Sequence, residues 1–489
     1  MGADTITLYD ICPDAKKCGV DNCGITSVTD DTRKVQKGSV FVCIKGASFD
    51  GHNAAKEMLE KGAAAVITER DLGLSRQIIR ENTRAELARL ASRFYGEPTK
   101  KLALLGVTGT NGKTTVAHYV KHILTSLGKK CGCIGTAGND TCGGRIISSP
   151  HGTPTTPPPT VLYSWFAEMV ENGAEYCVME ASSQALAQYR IGDEDFAAAG
   201  FTNLTRDHLD YHKTMENYFA AKRRLLTMTE RPVICIDGEY GERLAKEFCD
   251  TCITYSAYKK ADLYAEFIKQ SAGGTEFILM SARDKKAVKV NIPSPGIYNV
   301  QNALCAVGIA SAAGFDICEC AKALKSCKGV DGRLNPVYKG DFTVITDYAH
   351  TDDALSKMLA ALRPLTEKRL ICVFGAAGER DSEKRPLMGK AVSQYADYII
   401  VTSDNPSHEN AENIIEQVCG GIDKAKPYEK YTDRRQAIRR ALDMAQKGDV
   451  VVLAGKGHEK YQIIGDEYLP FCEADIVNEI MEEKGSINQ

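Results

Sequence analysis

The sequence has little of what nucleic-acid-binding or membrane proteins need. A single tryptophan and 7% aromatic residues provide no stacking platform for single-stranded nucleic acid. The formal net charge is only −3, so no strong field attracts a polyanion or a charged membrane surface. No apolar run approaches the roughly 20 residues that span a bilayer, and residues 1–6 lack the features of a secretory signal. We therefore expect a cytoplasmic protein that binds neither nucleic acid nor membrane.

Cysteine is frequent, with 18 residues, but its pattern indicates neither disulfides nor a metal centre. The cysteines are scattered through apolar segments such as those around Cys43 and Cys372, where they act as small hydrophobic side chains in a reducing compartment. Cys249 and Cys252 have the spacing of zinc ligands but lack a second pair or paired histidines. We expect no structural metal here.

A chain of 489 residues is too long for one core and suits about three domains. Short apolar runs alternate with helical patterns, which is typical of parallel sheets covered on both faces by helices. The predicted strands are 39–44, 64–68, 102–107, 176–179, 197–202, 232–236, 343–346, 369–374, 398–402 and 450–453. A turn-rich break at 95–99 and a restart of the pattern after Val330 divide an α/β chain into domains 1–98, 99–330 and 331–489.

The strongest local signal is a glycine-rich loop, residues 106–115, between a predicted strand and a predicted helix. Glycines let the backbone N–H groups surround a polyphosphate, and the helix start adds positive potential. Lys113 would reach the β- and γ-phosphates, and the Thr114 hydroxyl would bind Mg²⁺. A plain tight turn before a helix is the alternative. The loop predicts ATP binding by Gly109, Thr110, Asn111, Gly112, Lys113, Thr114 and Thr115.

The extended loop resembles the signature of the Mur ligase family rather than that of a kinase or GTPase. Seven further motifs follow in the order of that family, at 180–183, 203–212, 218–222, 296–304, 332–334, 347–350 and 454–459. The resemblance covers nearly the whole chain. It implies a three-domain architecture with a central phosphate-loop ATPase domain, which has a parallel sheet, and a C-terminal Rossmann-like domain.

The resemblance also implies catalytic residues for an ATP-driven amide synthesis. Glu180 is a hard oxygen donor suited to Mg²⁺, and His208 resembles the ligand of a second Mg²⁺. Taken alone, Glu180 would be read as a solvated carboxylate and His208 as a structural histidine. Lys222 matches a lysine that CO₂ carbamylates in the family, and the resemblance implies that the resulting anion could face a metal. Carbamylation needs a neutral amine, and burial disfavours the ammonium form.

Three more residues are implied to meet the nucleotide. Asn302 resembles the adenine contact, Arg333 would meet the γ-phosphate, and Asp347 would join the ribose or the magnesium-side network. Arg333 and Asp347 lie past the predicted boundary, so we expect the third domain to close onto the nucleotide. Closure also protects an acyl phosphate from water.

The first domain resembles the uridine-binding part of the UDP-N-acetylmuramoyl-tripeptide synthetases, which add the third peptide residue. In that group a serine is usual where Thr32 keeps a hydroxyl. The motifs 152–157 and 180–190 resemble the part that holds the muramoyl dipeptide. Arg190 suits the D-glutamate carboxylate through a bidentate grip, although it could merely cap a loop, and Gln184 replaces a frequent histidine. The residues implied to bind UDP-muramoyl dipeptide are Thr32, Thr155, Thr156, Ser183 and Arg190.

The implied reaction starts with attack of the dipeptide carboxylate on the γ-phosphate of ATP. Two Mg²⁺ ions and Lys113 offset the developing charge. The amino group of the donor then attacks the acyl phosphate, and ATP leaves as ADP and phosphate.

The third domain is expected to select the amino acid. Arg380 is the candidate for its α-carboxylate. Enzymes that use meso-diaminopimelate usually carry an arginine where this chain has Ser407, which cannot supply that charge. Acidic Asp404 and Glu459 suit a terminal ammonium, so we predict L-lysine, with L-ornithine next and meso-diaminopimelate as a further alternative if His408 compensates. The implied amino-acid-binding residues are Arg380, Asp404, Asn405, Ser407, Gly455 and Glu459.

Two other classes of protein stay as alternatives. A folylpolyglutamate-synthetase-like ligase would share the phosphate loop, but it needs neither the uridine-like first segment nor the motif 404–406. A non-catalytic paralogue that binds nucleotide is disfavoured by intact Lys113, Glu180 and Lys222. We expect a monomer.

Overall fold

The computed structural model describes residues 6–46, 48–144, 146–147, 154–271 and 274–487. The start of the chain before Ile6 and the motif residues Gly152 and Thr153 lie outside this part. The chain divides into two compact units. The first comprises Met1–Thr108, Gly128–Ala199 and Ala221–Arg231, and the second Gly109–Leu127, Gly200–Ala220 and Pro232–Gln489.

The first unit opens with a four-stranded parallel sheet in the order β1-β2-β3-β4. Strands β2 and β3 are buried at every position, as expected of parallel strands with both faces covered. The Asn82 side chain caps α3 by accepting from the N–H groups of Arg84 and Ala85. The elements are α1 (Leu8–Ile11), β1 (Ser27–Thr29), β2 (Ser39–Val42), α2 (Ala55–Glu60), β3 (Ala65–Thr68), β4 (Gln77–Ile79) and α3 (Thr83–Phe94), with 3₁₀ helices at Pro13–Cys18, Gly51–Ala54 and Pro98–Lys100.

The elements that follow carry the phosphate loop and its neighbours. They are β5 (Ala103–Thr108), α4 (Lys113–Ser126), β6 (Cys131–Ile134), β7 (Asn139–Asp140), β8 (Ile146–Ile147), α5 (Pro159–Glu171), β9 (Tyr176–Glu180), α6 (Ser183–Ala187), β10 (Phe196–Phe201), α7 (Leu209–His212) and α8 (Met215–Leu226). Strand β9 pairs in parallel with both β5 and β6. The carboxyl ends of β5 and β9 therefore meet at one edge, where Thr108 Oγ1 donates to the Ala181 carbonyl at 2.8 Å.

The next segment differs from the expected purely parallel sheet. Strands β11, β12 and β13 pair in parallel, but β13, β14 and β15 form an antiparallel meander. Helix α10 packs against α4 and against the meander strands. The elements are β11 (Pro232–Cys235), α9 (Glu239–Glu247), β12 (Ile253–Ser256), β13 (Leu263–Ser271), β14 (Gly274–Ser281), β15 (Lys286–Ile292), α10 (Ile297–Ala312) and α11 (Ile317–Ala323), then a 3₁₀ helix at Leu324–Ser326.

The last segment is a six-stranded sheet in the order β16-β17-β21-β18-β19-β20, parallel except for β16. Its elements are β16 (Asn335–Lys339), β17 (Thr343–Asp347), α12 (Asp352–Leu362), a 3₁₀ helix (Arg363–Leu365), β18 (Leu370–Phe374), α13 (Lys384–Ser393), β19 (Tyr398–Thr402), α14 (Ala411–Cys419), β20 (Tyr428–Tyr431), α15 (Arg434–Met444), β21 (Val450–Ala454), β22 (Tyr461–Ile464), β23 (Glu467–Pro470) and α16 (Glu473–Ile487).

Strand β18 shows that helices cover both faces of this sheet. Cys372 and Phe374 pack into the core with α12, α13 and α14, whereas Ile371 and Val373 pack with α15 and α16. Burial raises the pKa of the Cys372 thiol to about 12, so this cysteine acts as a hydrophobic side chain. The predicted α/β class and Rossmann-like last sheet are confirmed. None of the helices in the described ranges is both long and apolar enough to cross a membrane.

Candidate active site

The phosphate loop in the second unit is shaped by two glycines in the left-handed backbone region. Gly112 precedes α4 with φ of 89°, and a Cβ there would lie 2.3 Å from Asn302 Oδ1. Gly109 has φ of 148°, and a Cβ there would lie 1.9 Å from Thr202 Oγ1. Only glycine fits these close approaches. Asn302, the predicted adenine contact, is buried against this loop and donates to Asn299 Oδ1 at 3.2 Å.

Polar contacts fix the rest of the loop. Thr110 Oγ1 accepts from the Thr205 N–H at 3.0 Å, and the Asn111 N–H donates to Asn203 Oδ1 at 3.0 Å. The Asn111 side chain reaches the last segment, donating to Asp353 Oδ2 at 2.9 Å. Thr115 is buried in the first turn of α4. The loop is thus held before any ligand binds, which lowers the entropic cost of binding.

Basic groups lie at the start of α4. Lys113 Nζ donates to the carbonyls of Gly109 and Thr110 at 3.0 and 2.9 Å, which places its ammonium over the loop. Arg333 Nη2 donates to Thr114 Oγ1 at 3.2 Å, and its guanidinium lies 4.6 Å from the centroid of the Tyr348 ring. Arg333 Nε is buried and has no hydrogen-bond partner among the described residues. A helix N-terminus with these cations fits a polyphosphate.

Asp347, the other predicted nucleotide contact beyond the boundary, is held by backbone groups. Its carboxylate accepts from the N–H groups of Leu334 at 2.7 Å and Ala349 at 2.8 Å. Burial raises the pKa of Asp347, an effect that nearby Arg333 and the two N–H groups oppose. These contacts hold the turn that carries Arg333, so Asp347 has a structural role whether or not it meets a nucleotide.

Glu180 ends β9 in the first unit and is 1% exposed. Its Oε1 accepts from the Thr136 N–H at 2.8 Å, and the Thr136 hydroxyl lies 3.1 Å from that of Thr155. A Cβ at Gly135 would meet Glu180 Oε1 at 2.3 Å, so this glycine leaves room for the carboxylate. The carboxylate is a hard oxygen donor of the kind Mg²⁺ prefers.

Lys222, on α8, is 1% exposed, unlike the solvated lysine its neighbouring arginines would suggest. Lys222 is therefore buried rather than solvated, and its carbamylation stays a prediction.

His208 lies in the second unit with a left-handed backbone, φ of 53°, at the start of α7. Its ring Nε2 lies 3.5 Å from Asp207 Oδ2, and its ring meets that of Tyr218 edge-on at 6.0 Å. Lys384 Nζ lies 3.6 Å from Asp207 Oδ1. Burial alone would raise the pKa of Asp207, but His208, Lys384 and His350 outweigh it and lower that pKa below its usual range.

Across the described ranges, no group of three or more His, Cys, Asp or Glu side chains could hold a metal ion. Mg²⁺ commonly uses one or two carboxylates with substrate phosphates and water. Glu180, a buried carboxylate of the first unit, and the Thr114 hydroxyl, in the first turn of α4 in the second unit, are each an oxygen donor of the kind Mg²⁺ binds.

Four of the five residues predicted to hold the dipeptide lie near the end of β9. Thr156 Oγ1 donates to the Glu180 carbonyl at 2.7 Å, and Arg190 Nη1 donates to the Thr156 carbonyl at 2.7 Å. Arg190 Nε and Nη2 also donate to Gln188 Oε1 at 3.1 and 2.9 Å. Ser183 is buried at the start of α6. Arg190 therefore joins the Thr156 carbonyl to the Gln188 side chain. Thr32 is half-buried and lies in the turn between β1 and β2.

Four of the residues predicted to bind the amino acid lie in the loops that follow β19 and β21, namely Asp404, Asn405, Gly455 and Glu459. Asn405 Nδ2 donates to Glu459 Oε2 at 3.1 Å. Gly455 has φ of 112°, and a Cβ there would lie 2.5 Å from Asp404 Oδ2. Sequence reasoning missed Lys456, whose fully buried Nζ lies 2.9 Å from Asn405 Oδ1 and 2.8 Å from Glu459 Oε2.

The loop after Asn405 has its own backbone constraints. Ser407 has φ of 52°, and its N–H donates to the Ile463 carbonyl at 3.2 Å. His408 lies 3.2 Å from Glu379 and 3.3 Å from Asp466, and hydrogen bonds to these carboxylates raise the pKa of His408. Arg380 is exposed, and its guanidinium makes no ion pair with any residue in the described ranges. Of the two cations, Arg380 is therefore more available than His408 to bind a carboxylate of a ligand.

Three family models match the chain. The Mur ligase family, catalytic domain, matches 24–95, the Mur ligase middle domain matches 107–310, and the Mur ligase, glutamate ligase domain, matches 332–457.

Known proteins resemble the chain along nearly its whole length. The UDP-N-acetylmuramoyl-L-alanyl-D-glutamate–2,6-diaminopimelate ligase of Caldanaerobacter subterraneus subsp. tengcongensis is 43% identical, over 95% of this chain and 96% of its own. A solved structure of a protein with the same name is 32% identical, with a TM-score of 0.69 over 98% of this chain and 99% of its own. A folylpolyglutamate synthase from Mycobacterium tuberculosis shares the fold, with a TM-score of 0.60 over 76% of this chain and 92% of its own, at only 18% identity. The chain is a ligase that belongs to the Mur ligase family, as its motifs predicted.

Proposed function

We propose that this ligase joins 2,6-diaminopimelate to UDP-N-acetylmuramoyl-L-alanyl-D-glutamate, with conversion of ATP to ADP and phosphate. One observation carries the proposal: a ligase named for this reaction is 43% identical over 95% of the chain. The loop at the start of α4, with Lys113 and Arg333 beside it, supports the use of a nucleoside triphosphate.

The proposed first step activates the glutamyl carboxylate. One carboxylate oxygen attacks the γ-phosphorus of ATP, the bond to the β-phosphate oxygen breaks, and an acyl phosphate and ADP form. Lys113 and Arg333 offset the negative charge that grows on the phosphoryl oxygens. The donor's amino group then attacks the acyl carbon, loses a proton, and expels phosphate as the amide forms.

Magnesium, when bound, would further stabilise the charge on the transferring phosphoryl group. We propose Thr114 and His208 of the second unit, and Glu180 and a carbamate on Lys222 of the first, as its ligands. The burial of Glu180 and Lys222 supports these roles. Asn302 and Asp347 are the other proposed nucleotide contacts, and Thr32, Thr155, Thr156, Ser183 and Arg190 the proposed dipeptide contacts.

The donor is where the proposal departs from the prediction from sequence. L-Lysine was preferred because Ser407 cannot pair with a second carboxylate, but the relatives that match nearly the full chain are named as 2,6-diaminopimelate ligases. We therefore rank diaminopimelate first. The neutral side chain of Ser407 and the acidic Asp404 and Glu459 keep L-lysine as the second candidate.

A donor competition distinguishes the two. Phosphate release is measured with ATP, magnesium, bicarbonate and the UDP-muramoyl dipeptide, while meso-diaminopimelate, L-lysine or L-ornithine is varied. We expect the highest kcat/KM with meso-diaminopimelate. A higher kcat/KM with L-lysine would support the prediction made from the sequence. If none of the three donors gave phosphate release, the proposed function would be contradicted.

The three-domain division at 98 and 330, the monomeric state and the cytoplasmic location stay predictions. So does the full set of amino-acid contacts, Arg380, Asp404, Asn405, Ser407, Gly455 and Glu459.

A further inference from the structure

A buried lysine lies among the residues proposed to bind the amino-acid donor. Lys456 follows β21, is 0% exposed, and contacts three of the polar side chains at this end of the sheet. Its Nζ lies 2.9 Å from Asn405 Oδ1, 2.8 Å from Glu459 Oε2 and 3.8 Å from Asp404 Oδ1. A buried ammonium with such partners is costly to remove and strongly directs their geometry.

The contacts of Lys456 fix which way the Asn405 amide points. Asn405 Oδ1 accepts from Lys456 Nζ and also from the Ile463 N–H at 3.0 Å. Both partners are donors, so this atom must be the oxygen, and the NH₂ group must face Glu459. That NH₂ donates to Glu459 Oε2 at 3.1 Å.

Glu459 is oriented by the same arrangement. Its Oε2 receives hydrogen bonds from Lys456 and Asn405, and its Oε1 lies 3.4 Å from the Tyr348 hydroxyl. The Glu459 side chain keeps 14% of its surface exposed, whereas Lys456 keeps none. Lys456 therefore lies behind the carboxylate, and Glu459 lies toward solvent, where a ligand can reach it.

The strand ends that carry these residues are themselves tied together. Arg434 donates to the carbonyls of Ser403 at 3.2 Å and Ala454 at 2.7 Å, and it pairs with the equally buried Glu473. The loops that contain Asn405 and Glu459 thus begin at two positions that Arg434 holds together. Lys456 is the cation that joins one loop to the other.

We propose that Lys456 is a positioning residue for amino-acid recognition, which holds Asn405 and Glu459 in the arrangement that binds the donor's ammonium group. The role rests on the proposed function, because it concerns the donor of that reaction. Lys456 does not touch the donor and acts through the two side chains in front of it.

The test compares Lys456→Met with Lys460→Met, a control at an exposed lysine four residues later. KM for meso-diaminopimelate, for ATP and for the UDP-muramoyl dipeptide is measured by phosphate release, with circular dichroism and Tm as checks on folding. We expect Lys456→Met to raise KM for the donor by about tenfold or more, the loss typical of a charged hydrogen bond. KM for ATP and the dipeptide, and all values for Lys460→Met, should stay close to wild type.

Two further variants cover a failure to fold, because removing Lys456 leaves Glu459 and Asp404 without their cation. Lys456→Arg keeps the charge and should recover part of the donor affinity. The pair Lys456→Met and Glu459→Gln removes both charges, and loss of Lys456 should raise KM for the donor less in the Glu459→Gln background than in the wild type.

A folded Lys456→Met enzyme with an unchanged donor KM would overturn the proposal. Equal rises in KM for all three substrates would overturn it too. So would a Lys456→Met effect on donor KM that is the same in the wild-type and Glu459→Gln backgrounds. The wild-type rate in the same assay reports the reaction itself, so its absence contradicts the proposed function rather than the role of Lys456.

Discussion

At the residue scale, we propose that charge at single positions selects the donor. Ser407 offers only a hydroxyl, and the cation next to it, His408, already lies beside Glu379 and Asp466. The structure therefore gives His408 little net positive charge to offer a second carboxylate. The sequence left open that His408 compensates for Ser407 in binding diaminopimelate, and the ion pairs of His408 weaken that alternative.

Ser407→Arg should shift donor preference further toward diaminopimelate. Serine already places a Cβ at φ of 52°, so arginine adds little backbone strain, and its guanidinium can pair with the second carboxylate. We expect kcat/KM for meso-diaminopimelate to rise about tenfold relative to L-lysine. Ser407→Gln, which is long but uncharged, is the matched control. Equal shifts for Arg and Gln would show that charge at this position does not select the donor.

At the element scale, the phosphate loop and the strands around it differ in how far they could be predicted. The loop at 106–115 was predicted with its strand and helix because glycines and a lysine at fixed spacing impose one local geometry. The antiparallel strands β13–β15 were not predicted. Strand β14 alternates buried and half-buried positions, a weaker signal than a continuous apolar run.

Gly112→Ala should weaken ATP binding through the loop's backbone. The new Cβ would meet Asn302 Oδ1 at 2.3 Å, and φ of 89° disfavours any side chain. Strain of about 1–3 kcal/mol corresponds to roughly a 5- to 150-fold rise in KM for ATP. Gly314→Ala is the control, since φ is 100° there but no atom lies within 4 Å of the added Cβ. Similar KM values for ATP in both variants would contradict the importance of the close approach.

At the scale of the whole molecule, residues far apart in sequence meet within the second unit. Arg206 pairs with Asp381 at 3.3 Å and with Glu383, and Asn111 contacts Asp353. Arg333 contacts Thr114 at the start of α4, and its contact with the γ-phosphate stays a prediction. These contacts join the loops of the central segment to the last sheet.

Such long-range contacts explain what the sequence alone could not predict about the site. The motifs identified the family and most candidate residues, because each motif is contiguous. Lys456 was inside one of these motifs, but its hydrogen-bond partner Asn405 lies 51 residues away. The pairing of Arg206 with Asp381 spans 175 residues and has no local signature.

The measurement that tests the account most directly follows an oxygen atom. The UDP-muramoyl dipeptide is prepared with ¹⁸O in its glutamyl carboxylates and incubated with the enzyme, ATP, magnesium, bicarbonate and meso-diaminopimelate. An acyl phosphate requires one carboxylate oxygen to leave with phosphate, so we predict one ¹⁸O in each inorganic phosphate released and a tripeptide product of the expected mass. Phosphate without the label, or label in AMP instead, would contradict the proposed reaction.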